Sequence, residues 1–74
     1  TYEPSPDRVA IDAALQQLPE DQRRAIVLHH LCDLSVAQVA DEVGSPTGTV
    51  KARLARGRAT LARLLNTDLE VRHA

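Results

Sequence analysis

The chain has 74 residues, one cysteine and a formal net charge of −1 at pH 7. A chain of this length forms one domain near the lower size limit for a self-sufficient core, and a single cysteine excludes an internal disulfide. Tyr2 is its only Phe, Trp or Tyr residue, so the chain lacks the stacking platform that single-stranded nucleic acid requires. Its core must be built from Leu, Val, Ile and Ala.

The sequence carries no signal for a membrane. No apolar run approaches the roughly 20 residues that a membrane-spanning helix requires, and no basic-then-apolar signal segment is present. We therefore expect a soluble, cytoplasmic protein and no membrane contact by this domain. The polar opening TYEPSPD predicts a linker over residues 1–7 and a domain over residues 8–74, and we expect the chain to be a piece of a longer protein.

Two helices are predicted in the first half of the chain. Apolar residues of the first recur at the helical spacing i, i+3, i+4, i+7, at Ile11, Ala14, Leu15 and Leu18. Pro19 begins the second helix, because proline is tolerated in a first turn and the acidic Glu20 and Asp21 favour the positive end of the helix dipole. This helix ends at Asp33 and Leu34, and its predicted apolar face consists of Val27, Leu28 and Leu31.

The next two helices are joined by a tight turn. Ser35 and Gln38 have the spacing of a capping box, and apolar residues follow at Val36, Val39, Ala40 and Val43. Gly44 is predicted to cap this third helix, and Ser45 is predicted to cap a fourth that has Pro46 in its first turn. Two helices joined by a glycine-containing turn predict an all-α fold: a small four-helix domain containing a helix-turn-helix.

Charge is distributed unevenly along the chain. Residues 1–44 carry eight acidic and three basic side chains, a net of −5, whereas residues 45–65 carry five basic side chains and no acidic one. A basic stripe on one helix is typical of a polyanion-binding surface, while an ordinary solvated face more often mixes Glu with Lys. In the second helix, Arg23 and Arg24 are candidates for contacts to DNA phosphate, and Arg23 can instead pair with Glu20.

A helical wheel separates the fourth helix into two sides. The predicted buried stripe consists of Val50, Leu54, Leu61, Leu64 and Leu65. The opposite side carries the small residues Ala52, Ala55 and Ala59, with Arg63 close to them. Arg56 also lies close to these alanines, and Lys51 and Arg53 lie on the two flanks. Such a helix can enter the major groove of duplex DNA with a cation reaching either wall.

Metal binding and catalysis have little support. His29 and Cys32 are three residues apart on a helix, with His30 between them, but the chain has no second pair with zinc-ligand spacing. We expect no metal and no cofactor, and interpret Cys32 as a small packing residue with a free thiol. No Ser, His and carboxylate grouping lies in a recognisable catalytic context, so we expect no enzyme activity.

Several motifs follow one another in residues 18–65. They are the Leu18-Pro19 opening with Arg23, the Leu34-Ser35 pair, the Ala40 and Gly44 spacing, and the block Gly48-Thr49-Val50-Lys51 with Arg53, Leu54 and Arg56. In this order they resemble region 4 of a bacterial sigma factor of the extracytoplasmic-function (ECF) type.

The resemblance implies a domain that directs RNA polymerase to promoters by inserting its last helix into the major groove of the −35 element. The implied base-reading residues are Lys51, Ala52, Ala55 and Arg56. Contacts to the DNA backbone are implied at Thr47, Gly48, Thr49 and Arg53. Two protein partners are implied as well: the flap of the β subunit in the RNA polymerase core, and an anti-sigma factor.

This chain departs from the family pattern at two positions. Ala52 replaces a frequent Ser, which removes a possible base contact, and Gly57 replaces a frequent Ala at a cost of about 1 kcal/mol in a helix interior. A LuxR-type response-regulator DNA-binding domain shares the helix count and a similar GTV turn, but binds as a dimer. The Leu18-Pro19 opening favours the sigma interpretation. An alternative from another class is a protein-interaction module bound by an anti-sigma factor.

Overall fold

The computed structural model describes the backbone of residues 5–73 and the side chains of residues 5–66. Within this range the chain is helical and has no strand. Its elements are α1 (Pro6–Gln16), α2 (Glu20–Ile26), a π-helical turn (Val27–Leu31), α3 (Val36–Val43) and α4 (Thr47–His73). The predicted all-α, four-helix architecture is confirmed.

Helix α1 begins inside the segment that the sequence assigns to a linker. The Ser5 hydroxyl accepts a hydrogen bond from the Arg8 amide at 3.2 Å, and Pro6 occupies the first turn, where its missing N–H costs nothing. The helix therefore includes Pro6 and Asp7. Residues 1–4 of the predicted linker lie outside the described residues.

Helix α2 passes without a break into the π-helical turn. Pro19 precedes α2 as its N-terminal cap residue rather than lying within it, and its carbonyl accepts from the Arg23 amide at 2.9 Å. At the other end, the Cys32 amide donates to the Val27 carbonyl at 3.0 Å, the five-residue spacing of a π-helix.

The wider π-helical turn changes which side chains face the core. Leu28 packs against the core, but Leu31 is 62% exposed, so its predicted place on the apolar face is wrong. Cys32 is also exposed, and its interpretation as a packing residue is wrong for the same reason. Asp33 then takes a left-handed backbone conformation, with φ at 61°, and leads the chain into α3.

The predicted signals at both ends of α3 are confirmed. The Ser35 hydroxyl accepts from the Gln38 amide at 3.1 Å, while the Gln38 side chain accepts from the Ser35 amide at 2.8 Å. Gly44 ends the helix in the left-handed region, at φ 67°, which glycine adopts without a steric penalty. The capping box and the glycine fix the start and the end of the helix-turn-helix's first helix.

The start of α4 differs slightly from its prediction. In the first helical hydrogen bond of α4, the Val50 amide donates to the Pro46 carbonyl at 3.1 Å, so α4 begins at Thr47, after Pro46. Ser45 is therefore one residue too early to be the cap residue of α4, and its hydroxyl accepts a hydrogen bond from Arg53 at 3.2 Å.

Helix α4 packs against the other three helices. The core cluster consists of Leu15, Leu18, Ala25, Ile26, Val39, Ala40, Val50 and Leu54. Val39 and Val50 are fully buried, and Leu61 packs against the cluster from the next turns of α4. Among the side chains that the structure describes, those of one side of α4 pack into the core. Within the described residues, no helix is both long and apolar enough to cross a membrane.

Candidate nucleic-acid interface

One side of α4 holds the four residues predicted to read bases. All four are exposed, and together they define the recognition side of α4: Lys51, Ala52, Ala55 and Arg56. Val50 and Leu54 are interleaved with them along the helix, but these two are 0% and 2% exposed because they face the core. Alanine side chains project little, so the helix axis can come close to a groove floor while the two cations reach further.

The first turn of α4 adds backbone donors next to this surface. Thr47, Gly48 and Thr49, the residues predicted to contact the DNA backbone, are exposed. The first amides of a helix lack an intrahelical acceptor and lie at the positive end of the helix dipole. Phosphate groups are ordinary partners for such amides. These three positions therefore extend the recognition side toward the turn that precedes it.

Arg53, the fourth predicted backbone contact, is engaged within the domain. Its Nε lies 3.3 Å from Oδ2 of Asp21, at the start of α2, and its Nη1 donates to the Ser45 hydroxyl in the turn at 3.2 Å. The Arg53 side chain is 26% exposed. Sequence reasoning placed Arg53 on a flank of α4, and the structure adds that this flank faces α2.

Arg58 is exposed and follows Lys51 by seven residues, two turns along α4, but it contacts another element of the domain. Its Nη1 donates to Nε2 of His30 in the π-helical turn at 3.3 Å, which assigns the proton of a neutral His30 ring to Nδ1. The pKa of His30 is lowered from its ordinary value by burial, and further by the charges of His29 and Arg58. Arg58 therefore links α4 to the π-helical turn, although by charge alone it resembles Lys51 and Arg56.

The histidines of the π-helical turn have internal partners. His29 Nδ1 donates to the Leu34 carbonyl at 2.7 Å, and its ring meets the ring of His30 edge to face, with centroids 4.7 Å apart. Among the residues that the structure describes, no group of three or more His, Cys, Asp or Glu side chains is arranged to hold a metal ion. His29 instead helps to close the turn that leads into α3.

Sequence reasoning missed the partners of Arg53 and Arg58. Asp21 precedes Arg53 by 32 positions and His30 precedes Arg58 by 28, and no local spacing rule joins residues so far apart. Asp21 was noticed only as an acidic residue that suits the start of a helix. The packing of α2 against α4 also makes Asp21 the ion-pair partner of Arg53.

Comparison with known proteins gives a consistent match. A family model described as "Sigma-70, region 4" matches residues 8–61. The ECF RNA polymerase sigma factor SigM of Mycobacterium tuberculosis is 45% identical over 67 residues, which cover 86% of this chain and 34% of that protein. EcfG of Rhodopseudomonas palustris, also an ECF RNA polymerase sigma factor, is 41% identical over 56 residues, covering 76% of this chain and 31% of the relative.

A more distant relative agrees with these. The ECF RNA polymerase sigma factor SigW of Bacillus subtilis is 36% identical over 55 residues, which cover 74% of this chain and 29% of SigW. The chain thus spans about a third of the length of the curated relatives that it matches. The resemblance to region 4 of an ECF sigma factor is confirmed, and the LuxR-type alternative is not favoured.

Proposed function

Because the chain belongs to the sigma-70 region 4 family, we propose that it recognises the −35 element of promoters as part of an ECF sigma factor and so directs RNA polymerase to start transcription. The observation that carries this proposal is the recognition side of α4, where two exposed cations flank two alanines while the opposite side of the helix is buried. The function needs no catalytic residue, and we propose a non-enzymatic domain in the cytoplasm, where promoters are.

Each residue of the recognition side has a role that follows from its chemistry. The guanidinium of Arg56 can donate two hydrogen bonds to O6 and N7 of one guanine. Lys51 has a flexible ammonium group that can serve a base or a phosphate. Ala52 and Ala55 allow close approach and can contact thymine methyl groups. The amides of residues 47–49 contact phosphates and fix the register of the helix.

Electrostatics make the interaction weak and sensitive to salt. The five basic residues of positions 45–65 can neutralise only a few phosphates, and the acidic remainder of the chain opposes the DNA backbone. Each phosphate contact contributes about −0.9 to the slope of log K against log salt. A slope of zero would contradict the proposal. Affinity becomes useful when the rest of the sigma factor and the polymerase tether the domain, which raises its effective concentration at the promoter.

Substitution of two arginines separates base reading from positioning. We expect Arg56→Ala to lose roughly 1–3 kcal/mol of binding free energy on the preferred DNA sequence. It should also bind all four bases at one position of that sequence with similar affinity. Arg53→Ala should weaken binding to all sequences alike and reduce the salt slope by about one. The preferred duplex is first selected from a randomised pool, and both variants are then titrated against its single-base changes. Equal losses across the panel for Arg56→Ala would remove it from the base-reading set.

We also propose two protein partners, the β flap of the RNA polymerase core and an anti-sigma factor. Apolar surface is available away from the recognition side, since Val9 and Ile11 of α1 and Leu31 of the π-helical turn are exposed by 54%, 39% and 62%. An anti-sigma factor should cover helices from both halves and hide α4. A co-purified inhibitor that left Lys51 and Arg56 accessible, with DNA binding undiminished, would contradict this.

A further inference from the structure

Arg53 differs from the cations of the recognition side in having a carboxylate beside it. Its guanidinium contacts Asp21 at 3.3 Å and Ser45 at 3.2 Å, and these contacts use Nε and Nη1. The third guanidinium nitrogen, Nη2, also carries donor hydrogens. A phosphate that approaches Arg53 must therefore use the remaining donors beside a negative charge, or displace Asp21.

The Asp21 carboxylate is itself held in place. Its Oδ1 accepts a hydrogen bond from the Gln22 amide at 2.9 Å, while Oδ2 faces Arg53. This local bond fixes the carboxylate at the first turn of α2. The Asp21 side chain is 53% exposed, so it keeps contact with solvent and with any polyanion that approaches this flank.

The ion pair lies at the edge of an open cleft rather than in the core. The cleft is lined by Glu20, Asp21, Arg24, Val43, Ser45 and Arg53. A partly exposed ion pair of this kind is weak, because water screens it and holding two side chains costs entropy. A weak pair can be exchanged for a phosphate, so Asp21 can compete for Arg53 without preventing the contact.

We propose that Asp21 is a positioning residue that acts through Arg53 and lowers the affinity of the domain for DNA of any sequence. It holds the guanidinium against α2 and opposes a phosphate at the same site. The inference rests on the proposed function, because it requires Arg53 to face the DNA backbone in the complex. It adds a residue of α2 to the set that controls DNA binding by α4.

The test uses the 74-residue chain and a fluorescent duplex of random sequence, titrated over a series of salt concentrations. We expect Asp21→Asn to raise affinity at low salt by about two- to fivefold more than Glu20→Gln does. Glu20→Gln is the matched control, because it removes the same charge one residue away and Glu20 lines the same cleft. The salt slope of Asp21→Asn should also be steeper than that of Glu20→Gln, by a fraction of the roughly 0.9 that one phosphate contact contributes.

The same two substitutions, made in a chain that also carries Arg53→Ala, separate competition for Arg53 from a general change in charge. In Arg53→Ala, the difference between Asp21→Asn and Glu20→Gln should disappear, because the group for which Asp21 competes is gone. A persisting difference would overturn the proposal, as would equal effects of the two substitutions in the unmodified chain. A loss of affinity in Asp21→Asn would also overturn it, since that result would mean that the ion pair prepares Arg53 for DNA.

The outcomes also distinguish this inference from the proposed function. If Arg56→Ala loses base discrimination while Asp21→Asn behaves like Glu20→Gln, promoter recognition stands and only the competition is wrong. If the unmodified chain shows no salt-dependent binding to any duplex, both are wrong. Circular dichroism of each variant confirms that the helices remain folded, so an altered slope reports on phosphate contacts rather than on unfolding.

Discussion

The two sides of α4 have opposite requirements along the same few turns. On the packed side, Val50 and Leu54 are almost completely buried, and Gly57 lies against Ile26 of α2. On the recognition side, small and cationic side chains remain exposed. The packed side sets the orientation of the helix, and with it the direction in which the exposed side chains of the recognition side project. Substitutions on the recognition side should therefore change DNA binding while leaving the stability of the domain nearly unchanged.

Gly57 illustrates how the packed side overrides local preference. A glycine in a helix interior costs about 1 kcal/mol relative to alanine, so the sequence alone marks Gly57 as a weakness. In the structure it is buried, and a Cβ added there would lie 3.0 Å from Cγ1 and 3.2 Å from Cδ1 of Ile26. The missing side chain lets α2 and α4 approach closely.

The largest effect is expected from Leu54→Ala on the packed side. Leu54 is 2% exposed, and its truncation leaves a cavity at the junction of the helices, with an expected loss of about 2–5 kcal/mol in unfolding free energy. Arg56→Ala, two residues further on the recognition side, should change stability by no more than about 0.5 kcal/mol. Urea unfolding followed by circular dichroism measures both. Similar losses for the two variants would show that the sides are not separate.

A pair of glycine substitutions gives the next largest difference. Gly48→Ala places a Cβ in open space and should stabilise the domain by about 0.5 kcal/mol or more. Gly57→Ala gains the same helical preference, but Ile26 is 4% exposed and its branched side chain has little freedom to move. We therefore expect Gly57→Ala to lower the free energy of unfolding by up to about 1 kcal/mol. Thermal unfolding of the two variants compares them, and a gain from Gly57→Ala would contradict the close packing.

The smallest effect is expected at the edge of the packed side, where Arg58 donates to His30. Folding lowers the pKa of His30 below its ordinary value of 6.5, through burial and the charges of His29 and Arg58. The unfolded chain then binds the proton more readily, so this contribution to stability is present above pH 6.5 and is lost as the pH falls through the lowered value.

Replacement of His30 tests this pH dependence. His30→Gln should reduce the loss of stability between about pH 7.5 and 5.5, because glutamine does not titrate in this range. Urea midpoints at the two pH values measure the change, and Arg58→Gln should reduce it less, since burial is the leading cause of the shift. An unchanged pH dependence in His30→Gln would contradict the assignment.

The sequence predicts features that depend on neighbouring residues. The capping box at Ser35 and Gln38, the left-handed Gly44 and the alternation of buried and exposed residues along α4 all follow from local spacing, and the structure confirms them. The match to sigma-70 region 4 also confirms the family that the order of the motifs indicates.

Features that depend on contacts between helices were not predictable in this way. The π-helical turn rotates Leu31 into solvent, which a regular 3.6-residue spacing cannot indicate. The capture of Arg53 by Asp21 requires the packing of α2 on α4 to be known. The resemblance to region 4 already separates Arg53 from Lys51 and Arg56, and the structure adds that Arg53 and Arg58 have partners elsewhere in the domain.

The central claim is that the recognition side of α4 enters the groove of duplex DNA, and Ala55→Glu tests it most directly. Ala13→Glu on α1 is the matched control, because both alanines are exposed on helices and the two variants carry the same charge. Binding to the selected duplex is measured for both. We expect Ala55→Glu to lose more than about tenfold in affinity, since its carboxylate would face phosphates across a close contact, and Ala13→Glu to lose far less. Equal losses in the two variants would contradict the account.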